Sequence, residues 1–238
     1  MISVVIPLYN EAGNVAPLVA EIHAALAVLP HEIVLVNDGS KDETLAEARA
    51  LPGVRALSHH QSCGQSAALL TGIRAAQGEF VVTMDGDGQN DPADIPLLWA
   101  KFEELVASGQ NVMVMGDRSR KRKDNFVKRL TSRVGNAIRQ TLLKDGVKDT
   151  GCSLKIFRRT DFLALPFFDH IHRFMPALMR REGVQTYAFH VNHRPRQRGI
   201  SKYGFWDRLW VSLSDILGAY WLLHRRRLPR VQEHSHVG

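Results

Sequence analysis

Phe80-Val81-Val82-Thr83-Met84-Asp85-Gly86-Asp87-Gly88-Gln89-Asn90-Asp91-Pro92 is the stretch on which the fold turns. Phe80 to Thr83 is short, β-favouring and mostly apolar, and it runs straight into a polar turn with two glycines. That order reads as a buried strand ending abruptly. Asp85 and Asp87 leave the strand end one residue apart, and Gln89 adds a neutral oxygen beyond them. Alternate residues of extended backbone point the same way, so the three side chains can converge on one point. Hard oxygen ligands so placed suit Mg²⁺ or Mn²⁺, especially when a substrate pyrophosphate supplies further ligands. The plainer alternative is an acidic bend after a strand, with Gly86 and Gly88 present for backbone reasons.

Upstream, the same grammar repeats. Ile2 to Ile6 is an apolar strand stopped by Pro7, then Leu8-Tyr9-Asn10-Glu11 forms a polar loop. Asn14 is placed to cap a helix patterned on Val15, Leu18, Val19, Ile22 and Leu26. Ile33 to Val36 is a second buried strand, ending in Asn37-Asp38-Gly39-Ser40, and a helix follows from about Asp42 to Leu51. Val54 to Leu57 is a weaker strand, and Gly64-Gln65-Ser66 opens an alanine-rich helix reaching about Ala76. Strands that are continuously apolar, alternating with helices, predict an α/β fold: a mostly parallel sheet with helices on both faces. In such sheets ligands lie outside the carboxyl ends of the strands. Those ends carry Tyr9-Asn10-Glu11, Asp38-Gly39 and Asp85-Gly86-Asp87. No Gly-x-Gly-x-x-Gly follows the first strand and no Walker-type loop occurs, which argues against a standard dinucleotide or P-loop site.

Downstream, a helix is expected from about Asp94 to Ser108, then a strand over Asn111 to Gly116 leading to Asp117-Arg118. Ser119 to Asp124 reads as a mobile basic loop. A helix carrying Phe126, Leu130, Val134, Ile138 and Leu142 follows. Asp149 to Cys152 reads as a turn, Ser153 to Phe157 as a strand, Thr160 to Leu165 and Phe174 to Arg181 as short helices, and Tyr187 to Val191 as a strand. From Phe205 to Leu223 apolar residues recur at steps of three and four, three of the four tryptophans among them, and His224-Arg225-Arg226-Arg227 closes the run. Asp207, Arg208 and Asp215 make this a poor membrane-spanning segment. Its aromatic face and basic end fit an interfacial helix on an anionic membrane, or else a helix that packs on the sheet or on a partner subunit. The expected organisation is a catalytic domain over residues 1–203, an amphipathic helix over 204–228 and a disordered tail over 229–238.

The 238 residues carry a net charge of +7. The first hundred are rich in acidic groups, whereas Arg118 to Arg133 and Arg194 to Arg230 are dense in Arg and Lys. That balance favours an anionic partner: nucleic acid, an anionic membrane or phosphorylated substrates. No RNA-binding signature or helix-turn-helix pattern appears, so nucleic acid is not the expected partner. Cys63 and Cys152 are too few for a disulfide framework and lack metal-type spacing. The chain opens on a strand, with no leader pattern at its start.

Taken together, Pro7-Leu8-Tyr9-Asn10-Glu11, Asn37-Asp38-Gly39-Ser40, Gly64-Gln65-Ser66-Ala67-Ala68-Leu69 and Asp85-Gly86-Asp87-Gly88-Gln89 come in the order seen in inverting family 2 glycosyltransferases of the GT-A, Rossmann-like fold. Gly116-Asp117-Arg118, Asp149-Thr150-Gly151-Cys152 and Arg196-Gln197-Arg198-Gly199-Ile200-Ser201-Lys202-Tyr203 further resemble the polyprenyl-phosphate sugar synthases, the dolichol-phosphate mannose synthase type included. The resemblance covers residues 2 to about 220. It implies a nucleotide-sugar donor (GDP-mannose or a UDP-sugar), a divalent metal, a polyprenyl phosphate acceptor and a peripheral place on the cytoplasmic face of a membrane, with a membrane partner protein or a homo-oligomer as further company. Carried over residue by residue, it puts Pro7, Tyr9, Glu11, Val36, Asp38, Gly64, Gln65 and Asp85 at the nucleotide-sugar. Asp38 would contact the base or ribose, and Asp85, Asp87 and Gln89 would hold the metal. Arg118, Arg133, Arg196, Ser201 and Lys202 would hold phosphates, with Asp87, Arg118 and Arg196 as the catalytic set. Two departures from the family pattern stand out: glycines at 86 and 88, where Ala and Leu are common, and Ser62 in place of the usual Asn.

The implied chemistry is a direct displacement that inverts the anomeric centre. A phosphate monoester, with its second pKa near about 6, is largely dianionic at neutral pH and needs no general base. A glycosyltransferase acting on a sugar hydroxyl in cell-envelope polysaccharide synthesis is the alternative. It would need a base, and Asp149 is the nearest suggestion.

Overall fold

The computed structural model describes residues 1–118, 140–143, 146–147, 149–195 and 205–225, with backbone alone for 205–213. The expected basic loop at Ser119 to Asp124, most of the helix expected over Phe126 to Leu142, and the tail lie outside the described residues; Gln140 to Leu143 are helical.

Seven strands form one sheet: β1 (Ile2–Leu8), β2 (His31–Asn37), β3 (Val54–Ser58), β4 (Phe80–Thr83), β5 (Val112–Asp117), β6 (Lys155–Arg158) and β7 (Gln185–His190), in the order β3-β2-β1-β4-β6-β5-β7. Strand pairings are parallel except at β6, which runs antiparallel to both β4 and β5. Seven helices are described: α1 (Val15–Ala25), α2 (Thr44–Ala50), α3 (Gln65–Ala75), α4 (Ile95–Ala107), α5 (Arg159–Leu163), α6 (Ile171–Arg181) and α7 (Phe205–His224).

The continuous apolar strands are explained by two cores. Val4, Ile6, Ile33 and Leu35 face α1 and α4, whereas Val5, Val34 and Val36 face α3 and α6. Both faces of β1 and β2 are thus dry, as a central parallel strand requires.

Local chemistry adjusts several expected boundaries. The Asn14 side chain donates to Glu11 Oε2 (2.8 Å) and makes no cap bond to α1. Asp42 precedes α2 and accepts from Thr44 N (3.1 Å), a local turn that delays the helix to Thr44. α6 begins at Ile171, three residues before the expected Phe174. α7 is helical over the span expected from Phe205 to Leu223, and no described helix is long and apolar enough to cross a membrane.

Topology delivers the polar segments to one edge. The carboxyl ends of β1, β2 and β4 lie side by side, because these strands are parallel neighbours. β6 is reversed, so its first residue lies at this same edge: Lys155 pairs with Thr83 at the end of β4 and with Met115 of β5. α3 and α6 each run back toward the start of the strand that follows, which leaves their N-termini at the carboxyl edge as well.

Candidate active site

A cavity of about 570 Å³ opens at that edge. β1 and its loop supply Pro7, Tyr9 and Glu11; β2 supplies Asp38; α3 supplies Gly64 and Gln65. The loop after β4 brings Asp85, Asp87 and Gln89, and Arg118 enters from the end of β5. Ten of the residues expected from sequence therefore share one cavity. Val36 does not: its side chain is fully buried in the core, packed against α3 at Gly72. Arg133, Arg196, Ser201 and Lys202 lie outside the described residues.

Asp38 is the hub of the cavity wall at the end of β2. Oδ1 accepts from Cys63 N (2.8 Å) and lies 2.7 Å from His59 Nδ1, while Oδ2 accepts from Ser62 Oγ (2.8 Å) and Gly64 N (2.9 Å). Burial alone would raise this carboxyl, and the four hydrogen bonds outweigh it, holding the group below its usual value. Ser62 supplies one of the four donors. The potential ligand atoms of Asp38, His59 and Cys63 lie within 4.8 Å of one another. Each is already engaged: His59 joins Asp38 to Thr71 Oγ1 (2.9 Å from Nε2), and Cys63 Sγ donates to Gln61 O (3.4 Å).

The loop after β4 is fixed from several sides. Asp85 Oδ1 accepts from Gln65 Nε2 (2.7 Å), and Asp85 N donates to Ser153 Oγ (3.1 Å). Ser153 Oγ donates to Asn90 Oδ1 (2.6 Å), and Asp87 Oδ1 accepts from Gln89 N (3.0 Å). Its glycines serve different ends. A Cβ at Gly86 would lie 2.4 Å from Leu8 Cδ2, so the bare backbone lets the loop lie against β1. Gly88 has φ +74° with nothing near its missing side chain, so it is there for its backbone conformation. Beyond the loop, Arg194 N donates to Gln89 O (3.0 Å), and the Arg194 guanidinium pairs with Glu21 (2.5 Å) and Asp91 (2.6 Å).

Asp85, Asp87 and Gln89 fit a hard divalent cation. Burial and, next, the charge of Asp87 push the Asp85 carboxyl up. A cation between them relieves that repulsion, and their oxygens are the ligands Mg²⁺ and Mn²⁺ prefer.

Arg118 is tied to Asp149 by a fork: Nε to Oδ2 at 2.8 Å and a terminal nitrogen to Oδ1 at 3.0 Å, with Arg118 N adding 3.1 Å. Burial opposes the guanidinium charge and the Asp149 pairing overcomes it, so the arginine pKa is raised. Three basic groups absent from the sequence-based expectation complete the wall: Lys155, His172 and Arg173. Lys155 is 3% exposed, with Nζ donating to Cys152 O, and burial lowers its pKa. His172 Nδ1 lies 2.8 Å from Ser66 Oγ. Burial, then the charges of Lys155 and Arg173, bring the His172 pKa down to about 3, so the ring is neutral. A lysine at the start of the short strand Lys155–Arg158 was the available signal for one of them, and the His172-Arg173 pair in the first turn of α6 for the others.

The mixed, mostly parallel sheet thus gathers acidic and amide groups at one edge. Residues 3–165 match the family described as Glycosyl transferase family 2. The chain belongs to that family, and its fold is GT-A-like. It is 33% identical to the dodecaprenyl-phosphate galacturonate synthase of Rhizobium johnstonii, over 96% of this chain and 69% of that protein. It is 34% identical to the undecaprenyl-phosphate 4-deoxy-4-formamido-L-arabinose transferase of Edwardsiella ictaluri, over 85% of this chain and 63% of that protein. The chain thus spans less than two thirds of the latter relative's length. Among solved structures, the glucosyl-3-phosphoglycerate synthase of Mycobacterium tuberculosis, in complex with Mn²⁺, UDP-glucose and phosphoglyceric acid, superposes with a TM-score of 0.67 at 20% identity, covering 94% of this chain and 79% of that one. The mannosyl-3-phosphoglycerate synthase of Rubrobacter xylanophilus gives 0.67 at 18% identity, over 94% and 74%. These structural likenesses concern the fold alone.

Proposed function

We propose that the chain transfers a sugar from a nucleotide-sugar to a polyprenyl phosphate, with inversion and with the help of a divalent metal. The observation that carries this reading is the convergence of Glu11, Asp38, Asp85, Asp87 and Gln89 on a single cavity beside Arg118 and Lys155. The lipid-phosphate acceptors in the names of the two relatives support it. Their sugars differ, galacturonate in one and 4-deoxy-4-formamido-L-arabinose in the other, so kinship leaves the sugar open.

In the proposed reaction an oxygen of the acceptor phosphate bonds to the anomeric carbon as that carbon's bond to the donor diphosphate breaks on the opposite face. The nucleoside diphosphate leaves with the electron pair. Asp85, Asp87 and Gln89 would hold a divalent cation, which would supply countercharge to a departing diphosphate. Gln65 and Ser153 keep the Asp85 end of the loop in place, and Arg194 holds the backbone at Gln89. The Arg118 guanidinium, aimed by Asp149, offsets repulsion between two anionic substrates. Asp149 is the group a hydroxyl acceptor would need as base, and its commitment to Arg118 favours a phosphate acceptor, which arrives already deprotonated.

Peripheral association with the cytoplasmic face of a membrane belongs to the same reading. Leu217, Tyr220 and Trp221 of α7 are 60%, 40% and 57% exposed, and the Arg225 guanidinium lies 5.9 Å from the Trp221 ring centre. Large exposed apolar groups beside a basic end suit a lipid interface.

The test is transfer to a short-chain polyprenyl phosphate with the product mass measured. Chelation is expected to abolish product, and Mn²⁺ or Mg²⁺ to restore it. Asp87→Ala is expected to cost about 100-fold or more in rate, the scale of losing one preorganised charge contact. Full metal-dependent transfer by Asp87→Ala would sink the metal assignment.

A further inference from the structure

α7 has two faces with different company. Leu217, Tyr220 and Trp221 are exposed on one. On the other, Ala219 is fully buried, and Ile216, Leu222 and Leu223 pack against the core that α6 also lines. Asp215 shares this inner face, since 215, 219 and 222 follow helical spacing. Polar contacts mark its two ends. His170 Nδ1 lies 2.9 Å from Asp215 Oδ2, an oxygen shielded from solvent, and Arg181 Nη1 donates to Leu222 O (3.0 Å). His170 immediately precedes α6 and Arg181 ends it, so α7 lies alongside α6 and touches it at both ends.

The contact at Asp215 falls where the cavity wall begins. His170 has φ +62°, in the left-handed region, and a non-glycine residue stays there only when its surroundings hold it. A chain of contacts leads inward from it. The His170 and His172 rings meet edge-on, with centroids 6.3 Å apart. His172 lines the cavity and lies 2.8 Å from Ser66 Oγ. The two residues before Ser66 hold the acidic groups: Gln65 Nε2 donates to Asp85 Oδ1 (2.7 Å) and Gly64 N to Asp38 Oδ2 (2.9 Å). Asp169 stands at the same place, for a Cβ on Gly64 would lie 3.4 Å from Asp169 Oδ1. Residues 169–172 are therefore seated on the start of α3, and the start of α3 fixes both carboxylates.

We propose that Asp215 is a positioning residue for the cavity, acting through His170 and His172 on the α3 turn that holds Asp38 and Asp85. This rests on the nucleotide-sugar reading above and adds a second task for α7. Its outer face is left for a lipid interface, while its inner face braces the wall. Removing the brace weakens donor binding even where no lipid is present.

The experiment uses the full chain without lipid. Calorimetry with Mn²⁺ measures binding of UDP, GDP, UDP-glucose and GDP-mannose to the wild type, Asp215→Ala, His170→Gly and the double variant. Glycine adopts φ +62° freely, so His170→Gly removes the ring while easing the backbone. Each single substitution is expected to weaken the tightest of these ligands by about fivefold or more, and the double variant to be no weaker than the worse single, as for residues acting in one chain. Asp215→Asn keeps an oxygen facing the ring and is expected to lose less. Imidazole nitrogen NMR supplies a readout that a general loss of stability would not move: the His172 signals shift in Asp215→Ala. Unchanged binding, losses that multiply in the double variant, or unmoved His172 signals overturn the proposal. If the wild type binds none of the four ligands, the transferase reading fails instead, and the His172 signals alone decide whether the brace exists.

Discussion

At Asp38 two carboxylate oxygens meet four donors, so the lone-pair positions of an ionised carboxylate are all taken up by the 59–64 segment. Its work in this structure is to hold that segment as one wall of the cavity. Asp38→Asn places an NH2 group where Ser62 and Gly64, or His59 and Cys63, donate, leaving donors facing a donor. A loss of about 1–3 kcal/mol at neutral pH is expected, the cost of unsatisfied buried groups. The sign with pH follows from the lowered pKa. The contribution of the carboxylate is complete above the usual value of 3.8 and is lost as pH falls through the lower folded value. The stability gap between the two proteins, read by urea unfolding, therefore shrinks from pH near neutral to strongly acid; an unchanged gap would remove the ionic component. Asp85, Asp87 and Gln89 were singled out by their spacing after a strand, and all three line the cavity, though a turn at residues 86–88 rather than extended backbone brings them there. Lys155, His172 and Arg173 were not, since they reach the cavity through strand direction and a helix start that sequence patterns do not define.

At the level of elements, apolar continuity identified the strands and turn residues ended them, so the central β3-β2-β1-β4 set was readable. The reversal of β6 was not, because a four-residue apolar run looks the same in either direction. Yet that reversal is what brings Lys155 to the carboxyl edge. The helices differ likewise: α3 was placed by its Gly64 and alanine run, whereas α6 was entered three residues late. The seating of α3 rests on Gly72. A Cβ there would lie 2.4 Å from Val5 Cγ1 and 3.0 Å from Val36 Cγ2. On a free helix, Gly→Ala gains about 1 kcal/mol in propensity, while overpacking a tight core costs about 1–3 kcal/mol. Packing prevails here, so Gly72→Ala is expected to lower the melting temperature by several degrees, at roughly 2–4 °C per kcal/mol for a domain of this size. A raised melting temperature would mean that α3 lifts without penalty.

Over the whole molecule, charge and shape are asymmetric. Acidic groups gather at the strand ends, while the net charge of +7 comes mainly from the second half of the sequence. Leu217 and Trp221 stand four residues apart on α7 and share a face. Sedimentation with anionic vesicles is expected to capture the protein, less so as salt rises, and neutral vesicles to capture far less. The double substitution Leu217→Ser with Trp221→Ser should weaken capture by about tenfold or more, given the apolar area removed. Capture unaffected by it would move the contact elsewhere. A different consequence comes from Arg194, whose pairs reach Glu21 across 173 positions and Asp91 across 103. β7, just before it, covers the edge of β5. Synthesis proceeds from the N-terminus, and domains fold as the chain emerges. The loop at Asp85 to Asp91 is thus among the early segments to leave the ribosome but among the last to be clamped. A nascent chain that has not yet presented Arg194 holds most of its sheet and an unfinished cavity edge, so that edge is completed late in biosynthesis.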